Sequence, residues 1–187
     1  MSTPIEIAAV ILGLVYLVLV IREQRIGWIA GGLASALFLL VFWRAGLPGQ
    51  ALLQVYYVGV AINGWIYWGR EHGVAVSRLG FPGNVLSIGV LAGLCAITLL
   101  LRDDGHTGTA WLDTATSWSG VIATWLVASK RVEAWIWWVV IDIASTALYL
   151  QAGLLASSAL YALYTALAAY GLWEWLRSSQ KATKATT

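Results

Sequence analysis

Long stretches without Asp, Glu, Lys or Arg dominate this chain, and they limit its fold more than any motif does. The runs are Ile7–Ile21, Ile26–Trp43, Ala45–Gly69, one between Leu79 and Leu101, Thr114–Ser129, and Ala134–Trp173, the last broken only by Asp142. A helix needs about 17–25 apolar residues to cross the hydrocarbon core of a bilayer. The final stretch is long enough for two helices, with turn-like Gln151-Ala-Gly153 and Ser157-Ser158 inside it. The pattern predicts an all-α integral membrane protein with seven transmembrane helices, the fifth short and rich in Thr and Ser.

Composition agrees. Hydrophobic residues make up 60% of the chain and charged residues 11%, where a soluble domain carries about 25% charge. So little charge excludes a soluble enzyme, a nucleic-acid binder and a disordered tail, and a net charge of +2 argues for no polyanionic partner. Cys95, the single cysteine, permits no intramolecular disulfide and fits no metal framework. Met1–Glu6 has no basic segment of the kind that opens a secretory leader.

The basic residues set the expected orientation. Loops 1, 3 and 5 and the C-terminus carry Arg22, Arg25, Arg70, Arg78, Lys130, Arg131, Arg177, Lys181 and Lys184; the other side carries Arg44 and Arg102. Nine against two places the N-terminus outside and the C-terminus in the cytoplasm.

Sliding the sequence by 107 residues aligns Glu6–Arg70 with Asp113–Arg177 without a gap, and 15 of the 65 pairs are identical. Matching two sequences of this biased composition gives roughly six. Shared Leu and Val follow from composition alone; Gly13/Gly120, Trp28/Trp135, Tyr57/Tyr164, Gly64/Gly171, Trp68/Trp175 and Arg70/Arg177 do so poorly, as does Ala45-Gly-Leu47 returning as Ala152-Gly-Leu154. The expected layout is a single membrane domain over 1–187: repeat one at 4–70 (helices 1–3), a linker helix at 84–101, repeat two at 111–177 (helices 5–7) and a polar tail at 178–187. Helices 1 and 5 enter the membrane in the same direction, so this is a 3+1+3 parallel repeat of the SWEET type, in which substrate binds near mid-membrane between the repeats.

Asp142 stands eight residues into helix 6, about 12 Å deep at 1.5 Å per residue. A central Asp costs about 2.5–3.5 kcal/mol to insert, so it needs a polar cavity or a partner. It reads either as a ligand-binding carboxylate or as a protonated structural hydrogen bond; no basic residue at similar depth pairs with it, which favours the first reading. Trp138 lies one turn before Asp142 on the same face, and an indole beside an acid suits a flat cationic ring. Trp135 shares the helix, although Trp near a span's end also anchors at the headgroups. Gln54, Tyr57 and Asn63 on helix 3, and Tyr161, Tyr164 and Thr165 on helix 7, complete the candidate binding residues. Gly64 and Gly171 read as close-packing positions, and Trp65, Trp68, Trp173 and Trp175 as an interfacial belt. Glu6 and Asp113 start helices 1 and 5, where acids favour the helix dipole or draw cations. His72 and His106 have no ligand spacing. No metal site, cofactor site, phosphate loop or nucleophile–base pair is evident.

At Leu52-Leu-Gln54…Tyr57…Gly64-Trp65…Trp68, and at Trp135-x-x-Trp138-x-x-x-Asp142 with Tyr161…Thr165…Gly171…Trp175, the chain resembles the PnuC family of bacterial vitamin-precursor transporters over essentially all seven helices. The resemblance implies a SWEET-like fold, a homotrimer, and facilitated diffusion of a small cationic vitamin, nicotinamide riboside first among them. A cytoplasmic kinase then traps the solute, feeding NAD biosynthesis, and no cofactor is needed. Gln54, Trp138 and the helix 6 polar residue would belong to the binding layer. Members that carry nicotinamide riboside typically have Asn where this chain has Asp142, and another Asn in helix 2 where it has Ala34. A carboxyl group pairs better with an aminopyrimidine, so thiamine stands as the alternative; riboflavin is also carried within the family.

Other classes fare worse. A retinal receptor needs a lysine inside a span, and Lys130, Lys181 and Lys184 all lie outside. An intramembrane enzyme needs a partner for its lone acid. A membrane subunit with no transport role would leave Asp142 unexplained.

Overall fold

The computed structural model describes residues 4–70, 75–101, 110–151 and 153–185. Glu71, His72, Arg102, Asp103, Asp104, His106 and Ala152, with the side chains of Asp113 and Lys184, lie outside the described residues. Seven helices follow one another: α1 (Pro4–Ile21), α2 (Gly27–Arg44), α3 (Pro48–Trp68), α4 (Gly80–Leu100), α5 (Ala110–Ala128), α6 (Glu133–Gln151) and α7 (Leu155–Ala185). Among the described residues, α1, α2, α4 and α6 are each long and apolar enough to cross a bilayer by composition alone. Gln54, Asn63 and three tyrosines dilute α3, Thr and Ser dilute α5, and a charged extension dilutes α7.

Three boundaries differ from expectation. Helix 4 begins at Gly80 rather than residue 84, because Gly80 takes φ +75° and Pro82 sits in the first turn, where its missing N–H costs nothing. Helix 5 begins four residues earlier than its uncharged run and reaches 19 residues. The segment expected as a tail continues α7 to Ala185, since Gln, Lys and Ala there are good helix formers.

The chain forms two compact units, Met1–Ala75 and Val76–Thr187. In the first, α2 packs on both α1 and α3. The Trp28 indole lies flat on Gly64, where an added Cβ would overlap the ring, and meets Trp68 edge-on at 5.5 Å and 86°. In the second, α6 packs on α5 and α7, and α4 on α5. The Trp135 indole covers Gly171 in the same way and meets Trp175 at 5.4 Å and 86°. Among the described residues, the buried side-chain polar atoms left without a hydrogen bond are Nε1 of Trp28 and Nε1 of Trp135.

The turns correspond as closely. After α1, Glu23 adopts φ 55°; its N–H donates to the Val20 carbonyl at 2.9 Å, and the Gln24 N–H to that of Leu19 at 2.8 Å. After α5, Lys130 adopts φ 52°, with the Lys130 N–H donating to Val127 at 2.9 Å and that of Arg131 to Leu126 at 2.9 Å. Both are Schellman caps, which satisfy carbonyls that a helix end otherwise leaves orphaned. Helices α2 and α6 close with the glycine version, Gly46 at φ 71° and Gly153 at φ 74°. Leu47 N–H there donates to Phe42 at 3.0 Å and Leu154 N–H to Tyr149 at 2.9 Å.

Helix 4 is tied to the second unit by backbone and charge. Ser77 forms a parallel bridge with Arg131; its N–H donates to the Lys130 carbonyl at 3.0 Å and its carbonyl accepts from Val132 at 3.1 Å. Arg131 Nη1 donates to Ser77 Oγ at 2.9 Å. The Leu79 N–H, at the start of α4, donates to Glu133 Oε2 at 2.9 Å, an anion at a helix N-terminus where the dipole favours it. Trp118 Nε1 donates to Thr98 Oγ1 at 2.9 Å, joining α5 to α4.

Gly64→Ala and Gly171→Ala should each cost about 1–3 kcal/mol, the range for overpacking a tight contact. Thermal unfolding in detergent should show the two variants destabilised alike, whereas Gly13→Ala, where a Cβ meets nothing within 4 Å, should be near neutral.

Candidate functional site

In the second unit the candidate residues lie on one stripe of α6 and the facing stripe of α7. Spacings of three and four residues bring Trp138, Asp142, Ser145 and Tyr149 to a common face. Asp142 is 4% exposed and Ser145 8%; Trp138 is half-buried one turn earlier. From α7, Tyr161 and Tyr164 come within electrostatic reach of Asp142. Tyr161 stacks on Tyr149, ring centroids 5.2 Å apart and planes 20° off parallel, and meets Tyr164 edge-on at 5.9 Å. Asp142 therefore comes within reach of phenols, with aromatic side chains one turn before it and two turns after it along the helix.

The hydroxyls of Thr146, Thr165 and Ser158 are spent on backbone. Thr146 Oγ1 donates to the Asp142 carbonyl at 2.7 Å, and Thr165 Oγ1 donates to the Tyr161 carbonyl one turn back at 3.0 Å. Ser158 Oγ reaches across from α7 to the Thr146 carbonyl at 3.1 Å, pinning the two helices near one end. Thr165 thus keeps only lone pairs to offer a ligand. Trp135, expected beside Trp138, is 1% exposed and fully engaged with Gly171 and Trp175. It is a packing residue here.

In the first unit, Gln54 is buried at 9% exposure on α3. Tyr57 is half-buried one turn on; its ring meets Tyr56 at 5.5 Å, and it lies in electrostatic contact with Tyr16 of α1. Asn63 is exposed. It follows Gln54 by nine residues, two and a half turns at 3.6 per turn, which puts it on the opposite side of α3. The structure does not bring it together with Gln54 and Tyr57.

Tyr149 and Ser145 were missed by the sequence reading. The signal was available: they stand seven and three residues beyond Asp142, on its own face.

The nicotinamide mononucleotide transporter family model matches residues 3–177. This chain belongs to that family. The nicotinamide riboside transporter PnuC of Escherichia coli strain K12 is 25% identical over 210 residues, covering 95% of this chain and 87% of the relative. The riboflavin/roseoflavin transporter RibM of Streptomyces davaonensis is 27% identical over 179 residues, covering 91% of this chain and 84% of the relative. A crystal structure of the vitamin B3 transporter PnuC superposes with a TM-score of 0.73 at 19% identity, over 95% of this chain and 82% of that one. At that identity the superposition carries the fold. The chain is a membrane transporter of the PnuC family, as its motifs implied.

Asn63→Ala should leave stability and ligand affinity within about 0.5 kcal/mol of the parent, as surface changes usually do. Trp135→Ala should cost about 3–5 kcal/mol, as truncating a buried Trp does. Melting curves in detergent, paired with titration of whichever vitamin binds, separate the two roles: Trp135→Ala should lower the melting temperature before it changes affinity.

Proposed function

We propose that this transporter takes up a small cationic vitamin precursor by facilitated diffusion across the bacterial inner membrane, with nicotinamide riboside as the solute and a cytoplasmic kinase trapping it. The observation that carries the reading is Asp142: a buried carboxyl group on a transmembrane helix, one turn from Trp138 and facing Tyr161 and Tyr164. A carboxylate held among aromatic faces favours a flat ring bearing positive charge, through direct attraction and cation–π contact. Gln54 and Tyr57 on α3, with Thr165 as an acceptor on α7, are the remaining groups proposed to touch the solute. The relative that carries nicotinamide riboside supports this choice of vitamin.

Thiamine is the second reading, favoured by one observation. Residue 142 is Asp rather than the Asn of nicotinamide riboside carriers, and a carboxyl group pairs well with an aminopyrimidine. The flavin-carrying relative widens the class of ring systems such a fold accommodates.

The proposed architecture is a 3+1+3 parallel repeat of SWEET type, with one path per protomer of a homotrimer, the N-terminus outside and the C-terminus inside. The matching Schellman turns and Trp–Gly contacts at an offset of 107 residues support the repeat. The nine-to-two distribution of basic residues supports the orientation.

Calorimetric titration with both vitamins, and uptake into liposomes loaded with a nicotinamide riboside kinase or a thiamine kinase, test the reading. Asp142→Ala should lower affinity for the transported vitamin roughly 10- to 100-fold, the equivalent of about 1.5–3 kcal/mol for a hydrogen bond to a charged group. Asp142→Asn should preserve nicotinamide riboside uptake and weaken thiamine binding. If neither vitamin binds, the substrate class is wrong; if Asp142→Ala leaves uptake unchanged, the site is.

A further inference from the structure

A second built feature lies in the first unit, one to three turns along α3 from Gln54. An apolar groove of about 430 Å³ runs between α2 and α3. Trp28, Gly32 and Ala61 line its floor, exposed Ile29, Leu33 and Ile62 its rim, and Trp65 closes one end. The groove exists because residue 32 has no side chain: a Cβ there would already touch Ala61 at 3.4 Å. At the position 107 residues later the chain has Val139, a side chain large enough to fill the same depression.

The closed end carries a fixed cation. Arg25, in the α1–α2 turn, donates from Nε to the Trp65 carbonyl at 2.7 Å, and its guanidinium lies 3.7 Å from the centre of the Trp65 ring. Gly69 makes room, since a Cβ there would overlap the guanidinium. Held by one nitrogen and by stacking, the guanidinium keeps its two terminal nitrogens among the described residues, the fork that suits a phosphate. The equivalents of Arg25, Trp65 and Gly69 in the second unit are Val132, Leu172 and Leu176, so the second unit lacks the cation at the corresponding place. The turn also holds exposed Arg22, which adds positive potential where anionic headgroups gather.

We propose that the α2–α3 groove seats an acyl chain of an anionic glycerophospholipid whose phosphate is bound by Arg25. Charge complementarity selects this occupant. A second protein copy would need only the apolar surface, whereas a lipid uses both the apolar floor and the cation at its interfacial end. The inference does not depend on which vitamin is carried.

Native mass spectrometry of detergent-purified protein, titrated with palmitoyl-oleoyl phosphatidylglycerol, tests it. The parent should retain one tightly held lipid per protomer. Gly32→Val, which fills the groove as Val139 does, and Arg25→Gln should each cut that retention at least fivefold, with Arg25→Lys falling between. Inorganic phosphate at 10-fold excess over the lipid should displace nothing. The variants' melting temperatures report folding, and Arg25→Gln, in a turn, decides the matter if Gly32→Val does not fold. Equal lipid retention in every folded variant would overturn the proposal. So would displacement by free phosphate, or loss of oligomer at unchanged lipid retention, the result expected if the groove were covered by a second copy.

Discussion

An indole lying flat on a glycine holds each unit together. Lipid tails are as apolar as Leu, so burial supplies no drive for one transmembrane helix to choose another; close van der Waals packing must do it. Trp28 on Gly64 and Trp135 on Gly171 give that contact the largest side chain and the smallest residue available, and the Trp68 and Trp175 rings close the other side edge-on. The arrangement leaves both indole N–H groups unpaired, each at a cost of about 1–3 kcal/mol. That the same donor is orphaned at both places shows that ring area, rather than hydrogen bonding, is what the position needs.

Where geometry is dictated by residue type, the sequence was easy to read. Gly153 was legible as a turn residue, and Gly46 matches it in the recurring Ala-Gly-Leu, because their left-handed φ suits a residue with no Cβ. The matching caps at Glu23 and Lys130 were illegible: neither residue advertises a positive φ, and the backbone accepts it only because the Schellman bonds repay the strain. Asp142 was legible because any charge inside an apolar run must be explained. Trp135 was harder to read, because an anchor, a ligand platform and a packing ring all call for tryptophan, and the sequence does not show the glycine beneath it. Asn63 lies off the Gln54 face, since nine residues make half a turn more than two. The helical form of the polar tail was not legible, because its composition resembles a linker while its Ala, Gln and Lys content favours helix.

The two units share a frame and differ in how bulk is placed on it. In α1 and α2, Tyr16 covers Gly31, where an added Cβ would sit 2.7 Å from the ring. The corresponding pair in α5 and α6 is Ala123 and Trp138, so the large residue has moved to the other helix and the small one, Ala123, is fully buried. One turn beyond, Ser35 corresponds to Asp142. The exchange puts an indole and a carboxyl group on the same helix in the second unit alone.

This asymmetry gives the two units different groups on a shared frame. Two identical units would offer a solute the same groups twice, which suits a symmetric ion better than an organic molecule with one charged ring. Here the aromatic and acidic groups gather on α6 and α7, while α3 offers the neutral amide of Gln54. The Trp–Gly contacts, being common to both units, can tolerate that divergence because they fix helix spacing without involving the residues that differ.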